Sequence, residues 1–203
     1  MNISCRDEMI SILNEYNLND LYNKGTDKIT DHSYDFVYGP TLCRFRDKKG
    51  SLLEIGTWNG GSAVLWRKLL PNFTLDLVDN DLSQFNHEYL SVLTDTQYDQ
   101  RDAYTHQSLQ YYKNKRPDGY DIIIDDGPHT LDSQLFVVTS YVELLKPGGV
   151  LIIEDIASIE NMQYLIDNIP TGYNGSKYDL RHIKNRFDDI ALVVSKPVKN
   201  RYI

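Results

Sequence analysis

Short apolar runs that end in an acid recur along the chain: SLLEIG at 51–56, TLDLVD at 74–79, DIIIDD at 121–126 and VLIIED at 150–155. They are β-branched and do not strictly alternate with polar residues. That pattern predicts parallel strands buried on both faces. Helical stretches lie between them. SAVLWRKLL at 62–70 follows a glycine pair and is stopped by Pro71. TLDSQLFVVTSYVELL at 130–145 runs into KPGG, where glycine marks a helix stop. Strands alternating with helices predict right-handed βαβ units and a doubly wound, mostly parallel, Rossmann-like α/β sheet. The C-terminal part differs. KYDLRHI at 177–183 and DIALVVSK at 189–196 flank the polar KNRFD and predict an antiparallel hairpin. Residues 1–50 read as helices and loops, a helical N-terminal cap over the sheet's carboxyl edge. No repeat or Pro/Gly linker divides the chain, so one domain is expected over 1–203, with cap 1–50 and α/β core 51–203.

Composition narrows the function. The chain has 203 residues, 41% hydrophobic and 25% charged, enough to bury a core without staples. No apolar run approaches the ~20 residues of a membrane span, and the start MNISCRDEMI lacks the apolar stretch of a secretory signal. Cys5 and Cys43 form neither a framework nor a CxxC pair, so the reducing cytoplasm is the expected compartment. With 21 Lys and Arg against 29 Asp and Glu, the net charge is −8, and there is no basic cluster. Nucleic acid is therefore not an expected partner. A small or neutral substrate, or a site built from carboxylates, fits better.

The first strand runs into Gly56-Thr57-Trp58-Asn59-Gly60-Gly61-Ser62. Such a turn lets a ligand touch the backbone and aims helix N–H groups at an anion. The spacing is not G-x-G-x-x-G, so a dinucleotide fits poorly. Glu54, two residues before Gly56, can face an ammonium, which together with the helix N-terminus suits an amino-acid end. Asp79 ends the second strand, where a carboxylate can accept from both ribose hydroxyls of an adenosine. In Asp99-Gln100-Arg101-Asp102, Asp99 or Gln100 is positioned for the adenine edge. Asp125-Asp126-Gly127-Pro128-His129 and Glu154-Asp155 bring up to four carboxylates and an imidazole to adjacent strand ends, ~4.8 Å apart if those strands are neighbours. Like charges so close call for a cation, and all-oxygen ligands suit Mg²⁺ or Mn²⁺. His129 sits beside this cluster, where a base is needed to deprotonate a hydroxyl. In the cap, Gly25, Thr26, Asp27, Lys28, His32, Tyr34 and Tyr38 form a polar-aromatic cluster suited to sugar or cofactor contacts.

At these residues the chain resembles the class I S-adenosylmethionine-dependent methyltransferases. LLEIGTWNGGS resembles their first cofactor motif and LVDND the second. DIIIDDGPH and VLIIED resemble the metal-dependent sugar O-methyltransferases of macrolide biosynthesis, the macrocin and mycinamicin type, and the related cephalosporin-hydroxylase and rhamnosyl O-methyltransferase group. The resemblance covers roughly residues 22–196. It implies S-adenosyl-L-methionine bound by Glu54, Gly56, Trp58, Gly60, Gly61, Ser62, Asp79, Asp99, Gln100 and Asp125. It further implies Mg²⁺ on Asp126, Glu154 and Asp155, and His129 as base with Asp126 beside it. TDK, His32, Tyr34 and Tyr38 resemble a segment that precedes the first strand in these proteins. Pro128 stands where the family has Ser, which removes a hydroxyl and a backbone donor.

The expected activity is methyl transfer to a sugar hydroxyl in a glycan, nucleotide sugar or natural product. A phenolic acceptor, or a non-catalytic cofactor- or glycan-binding module, are the alternatives. The sequence leaves open a homo-oligomer or a place in a multi-domain glycan-modifying enzyme.

Overall fold

The computed structural model describes residues 4–21 and 24–198. Seven strands form one sheet: β1 (Gly50–Ile55), β2 (Phe73–Asp79), β3 (Thr96–Gln100), β4 (Tyr120–Asp125), β5 (Leu145–Ile153), β6 (Asn174–Asp179) and β7 (Ile190–Ser195). Their order is β3-β2-β1-β4-β5-β7-β6. The first five are parallel, and β7 runs antiparallel to both β5 and β6. This is the mostly parallel, doubly wound sheet with a C-terminal antiparallel pair that the chain pattern predicts.

The apolar runs are buried on both faces because helices cover both. Leu52, Leu75, Leu77, Ile122, Ile124 and Ile152 face one layer, and Leu53, Ile55, Val78, Ile123, Leu151 and Ile153 the other. Helices α1 (Cys5–Glu15), α2 (Asp35–Leu42) and α3 (Gly61–Leu69) supply the first layer. Helices α4 (His106–Lys115), α5 (Leu131–Ser140) and α6 (Ile159–Asp167) supply the second. Side-chain oxygens cap α4, α5 and α6: Thr105, Thr130 and Ser158 each accept from a backbone N–H three residues on.

Several local expectations change. The segment around Asp99 lies in strand β3, an edge strand whose TQYDQ is too polar to read as one from the chain pattern. Helix α5 ends at Ser140 and tightens into a 3-10 turn over Tyr141–Leu144. KPGG belongs to the start of β5, where the register with β4 shifts. The hairpin is shorter than expected, because residues 181–184 form a one-turn helix, α7 (Arg181–Lys184), instead of continuing β6. The N-terminal segment is only partly a cap. Helices α1 and α2 pack beside α3 on one sheet face, and the stretch from Lys24 to Tyr34, with Tyr38 of α2, reaches the carboxyl edge.

Cys5 and Cys43 are bridged, with Cα atoms 6.0 Å apart, against the expectation of unpaired thiols. Their separation of 38 residues carries no spacing signal. Only the packing of α1 against α2 brings them within the reach a disulfide requires.

Candidate active site

The sheet's order reverses between β1 and β4, and a ligand crevice belongs outside the carboxyl ends of the strands there. Backbone hydrogen bonds carry the parallel register past the strand ends. Gly56 N–H donates to Val78, Asp126 N–H to Ile55, and Glu154 N–H to Asp125. The Gly turn and both acidic motifs are thereby aligned along one edge. A Cβ at Gly56, with φ 84°, would collide with the Asp126 carbonyl, so glycine is required where these turns touch. A Cβ at Gly127 would collide with the Tyr104 hydroxyl, which donates to Asp125 at 2.6 Å.

A cavity of about 850 Å³ opens at this edge. Gly56, Trp58, Asp79, Asp126, His129 and Asp155, all named from the sequence, line it. So do six carboxylates in all, Asp27, Asp79, Asp102, Asp126, Asp132 and Asp155, against the single guanidinium of Arg101. An electronegative wall of this kind favours a cationic ligand over a polyphosphate. Asp79 is held by the N–H groups of Trp58 (2.8 Å) and Asp81 (3.0 Å), one on each oxygen. Each oxygen keeps lone-pair capacity for a ligand hydroxyl. Trp58, His129 and Asp155 all have left-handed backbones (φ 41°, 54° and 52°) although none is glycine. Each costs about 1–2 kcal/mol, and such strain gathers at functional sites.

Other expected residues lie elsewhere. Glu54 is fully buried, accepting from Trp66 Nε1 at 2.7 Å and Thr57 Oγ1 at 3.3 Å, so it faces no ligand ammonium. Gly60, Gly61 and Ser62 start α3, but the backbone of Lys24 and Gly25 lies over Gly61 and closes that helix end from the cavity. Asp99 turns to Lys115 (2.7 Å), Tyr111 and Tyr112. Gln100 is exposed and outside the cavity lining. Asp102, Ala103 and Tyr104, just past β3, line the cavity instead. Asp125 is buried behind Tyr104. Sequence reasoning missed Asn80, Tyr104 and Phe136 in the lining. Their one signal was position just past a strand end or on the helix after the acidic turn.

The cap residues proposed for substrate are interior. Lys28, His32, Tyr34 and Tyr38 are at most 1% exposed. Lys28 Nζ lies 2.5 Å from both Asp126 Oδ2 and Glu154 Oε2. Tyr38 donates to the other Glu154 oxygen, and Tyr34 to Asp155 Oδ1 at 2.5 Å. His32 lies 3.3 Å from Asp155 and 3.5 Å from Asp189. These residues support the acidic floor from behind rather than meeting a substrate. Both oxygens of Glu154 are thereby engaged, one by Lys28 and one by Tyr38. Facing the cavity, Asp126, His129 and Asp155 offer atoms all within 4.8 Å of one another. His129 Nδ1 is 3.4 Å from Asp155 Oδ2, and Nε2 is 3.8 Å from Asp126 Oδ1. This oxygen-rich group fits a hard divalent cation such as Mg²⁺ or Mn²⁺. His32, Asp155 and Asp188 also cluster, but both Asp188 oxygens pair with Arg186.

Burial dominates the electrostatics. Burial disfavours the Lys28 charge, yet Asp126, Glu154 and Glu54 overcome it and hold its pKa well above the usual lysine range. One ammonium cannot balance three carboxylates. Desolvation accordingly raises the carboxyls of Asp126, Glu154 and Glu54 despite the field of Lys28. Desolvation also pushes Asp125 up to about 7, against the hydrogen bond from Tyr104. His32 is raised as well: burial opposes its charge, but Asp189, Asp155 and Asp27 prevail. In each case the folded chain holds a proton that the unfolded chain has released, so stability falls as pH rises through this window. For Asp125 alone, moving from pH 5 to pH 8 costs about 2–3 kcal/mol. The metal-free protein should lose about 5–10 °C of Tm between those pH values by scanning calorimetry. An equal or higher Tm at pH 8 would show these groups ionised and balanced.

A methyltransferase-domain family model matches residues 53–156. The chain is 31% identical over 125 residues to mycinamicin VI 2''-O-methyltransferase of Micromonospora griseorubida, covering 55% of this chain and 28% of that protein. It is 29% identical over 145 residues to 8-demethyl-8-alpha-L-rhamnosyl tetracenomycin-C 2'-O-methyltransferase of Streptomyces olivaceus, covering 65% of this chain and 35% of that one. The chain thus spans about a third of the length of the curated relatives it matches. Among solved structures, the MycE methyltransferase of the mycinamycin biosynthetic pathway, in complex with Mg and SAH, superposes with a TM-score of 0.69 at 18% identity. The match covers 96% of this chain and 56% of that one. A putative rRNA methylase from Clostridium thermocellum superposes with a TM-score of 0.64 at 12% identity, over 83% of this chain and 98% of that one. These low-identity likenesses carry the fold. The family follows from the matched segment, which runs from β1 through the Gly turn and both acidic motifs over half of the sequence: the chain belongs to the methyltransferase-domain family.

Proposed function

We propose that the chain is an S-adenosyl-L-methionine-dependent O-methyltransferase that acts on a sugar hydroxyl with the help of a divalent cation. The observation that carries this reading is the acid-rich cavity at the β1–β4 switch point. Its walls suit a donor with a positively charged sulfonium and ammonium, and they disfavour the phosphates of a dinucleotide. The curated relatives, both named as 2-position O-methyltransferases of sugar-bearing natural products, support the acceptor class.

Within this reading Asp79 accepts from the ribose hydroxyls of the donor. Gly56 and Gly127 let backbone and Tyr104 close around it. Asp126, Glu154 and Asp155 would hold Mg²⁺ or Mn²⁺, with His129 between Asp126 and Asp155 as the acceptor of the substrate proton. When bound, such a cation supplies Lewis acidity toward an acceptor hydroxyl. Orientation of donor and acceptor supplies much of the remaining rate gain. The acceptor enters from the open side of the cavity, since the cap residues are interior. Residues 1–203 act as one methyltransferase unit, either as a homo-oligomer or within a longer glycan-modifying protein. Among the described residues no helix is long and apolar enough to cross a membrane. Placed in the reducing cytoplasm, the protein would carry Cys5 and Cys43 as thiols.

Binding of S-adenosylhomocysteine tests the donor assignment. Asp79→Ala removes a charged acceptor of two hydrogen bonds, each worth ~1.5–3 kcal/mol, and affinity by calorimetry should fall at least roughly tenfold. An unchanged dissociation constant, or tight NAD binding by the wild type, would overturn the reading.

A further inference from the structure

The connection from β6 to β7, residues 180–189, runs along the carboxyl edge of the sheet, and the proposed chemistry leaves it without a part. It is held firmly. Lys184 spends all three donors of its ammonium on the carbonyls of Ile29, Thr30 and His32, the last at 2.6 Å. Arg186 forks onto both oxygens of Asp188, at 3.0 and 3.1 Å. Asp189 accepts from the N–H of Ser33 at 3.1 Å, and Ile156 N–H donates to the Ile190 carbonyl at 3.0 Å. Yet this fixed connection leaves Phe187 71% exposed, the most exposed large apolar side chain among the described residues. Folding gains little from a ring left in water. Its neighbour Asp188 brings a carboxylate oxygen within 4.8 Å of one on Asp155, which lines the cavity. Phe187 therefore stands at the rim of the cavity, next to its acidic floor.

We infer that Phe187 is a stacking platform for a second sugar ring: the acceptor is an oligosaccharide whose methylated ring reaches the acidic floor while the adjoining ring lies on Phe187. The inference rests on the sugar O-methyltransferase reading above and adds where the rest of the acceptor binds. The C–H face of a sugar ring is weakly positive and meets the negative face of an aromatic ring, while its hydroxyls spread around the edge. Phe187 has the surroundings such a ring needs. Asn185 and Arg186 precede it and Asp188 follows, so donors and acceptors for hydroxyls flank the aromatic face. A broad apolar aglycone would need a continuous apolar surface instead. In this connection the other exposed apolar side chain is Ile183, at 36%. A phosphate-linked sugar is disfavoured by the carboxylates of the cavity.

Binding to an array of mono-, di- and trisaccharides, with S-adenosylhomocysteine and Mg²⁺ present, tests this. Wild type should bind at least one di- or trisaccharide about tenfold more tightly than its terminal monosaccharide alone. Phe187→Ala should remove that difference and leave the monosaccharide affinity and the melting temperature unchanged, since the ring is exposed. Phe187→Trp should keep the difference, and Phe187→Leu, apolar but not aromatic, should lose it. Equal binding of the longer glycan by wild type and Phe187→Ala would overturn the inference, as would no glycan bound by wild type. A preference for an alkyl or aryl glycoside of one sugar, kept in Phe187→Leu, would put an apolar aglycone on Phe187 and overturn it as well. S-adenosylhomocysteine calorimetry on the same preparations separates the two claims. Absent donor binding would sink the methyl-transfer reading and leave the glycan result standing.

Discussion

Replacing His129 with alanine should lower kcat by ~10²–10⁴-fold, the usual contribution of a general base, with little change in S-adenosylhomocysteine affinity. The expectation comes from placement. A left-handed backbone at His129 turns the imidazole into the cavity between Asp126 and Asp155, where it remains 36% exposed to an incoming substrate. A sugar hydroxyl is a very weak acid, and its proton needs an acceptor within reach, which the imidazole provides. Steady-state kinetics on the best acceptor, beside calorimetry of S-adenosylhomocysteine, checks both. Near-normal turnover would make His129 a structural residue of the turn. Retained chemistry with lost Mn²⁺ affinity would make it a ligand.

Removing the cation should abolish methyl transfer, and Mg²⁺ or Mn²⁺ should restore it. The reason is the same weak nucleophile: without Lewis acidity beside it, the hydroxyl depends on His129 alone. Asp126→Asn should reproduce the loss in the presence of metal. It should also loosen the floor, because Lys28 loses one of its two carboxylate contacts at 2.5 Å. The variant should therefore melt lower than Asp155→Asn, whose carboxylate makes no ion pair with Lys28. A labelled-methyl assay with and without chelator, beside thermal melts of both variants, gives the comparison. Full activity in chelator would remove the cation from the reaction.

The sheet and the edge that binds ligand were legible from the chain pattern because strand and turn signals are local. Four apolar runs ending in acids lie in β1, β2, β4 and β5. Parallel pairing then aligns their ends without further instruction, so Gly56, Asp79, Asp126, His129 and Asp155 meet at one cavity. Strand β3 escaped because an edge strand buries little and need not be apolar.

What spacing could not convey is which side of the edge each polar residue serves. Glu54 and Asp79 both lie at the carboxyl ends of apolar strands, yet one is sealed beneath Trp66 and the other opens to the cavity. Lys28, Tyr34 and Tyr38 looked like substrate contacts and prove to be the back of the acidic floor. Cys5 and Cys43 meet only because α1 and α2 pack together. By itself the sequence determined the sheet, its ligand-binding edge and the acids brought there, since these follow from periodicity and from parallel register. Tertiary structure alone decided which carboxylates Lys28 contacts and which line the cavity, since a buried charge is settled by whatever partner the packing brings within about 3 Å, however distant in the chain.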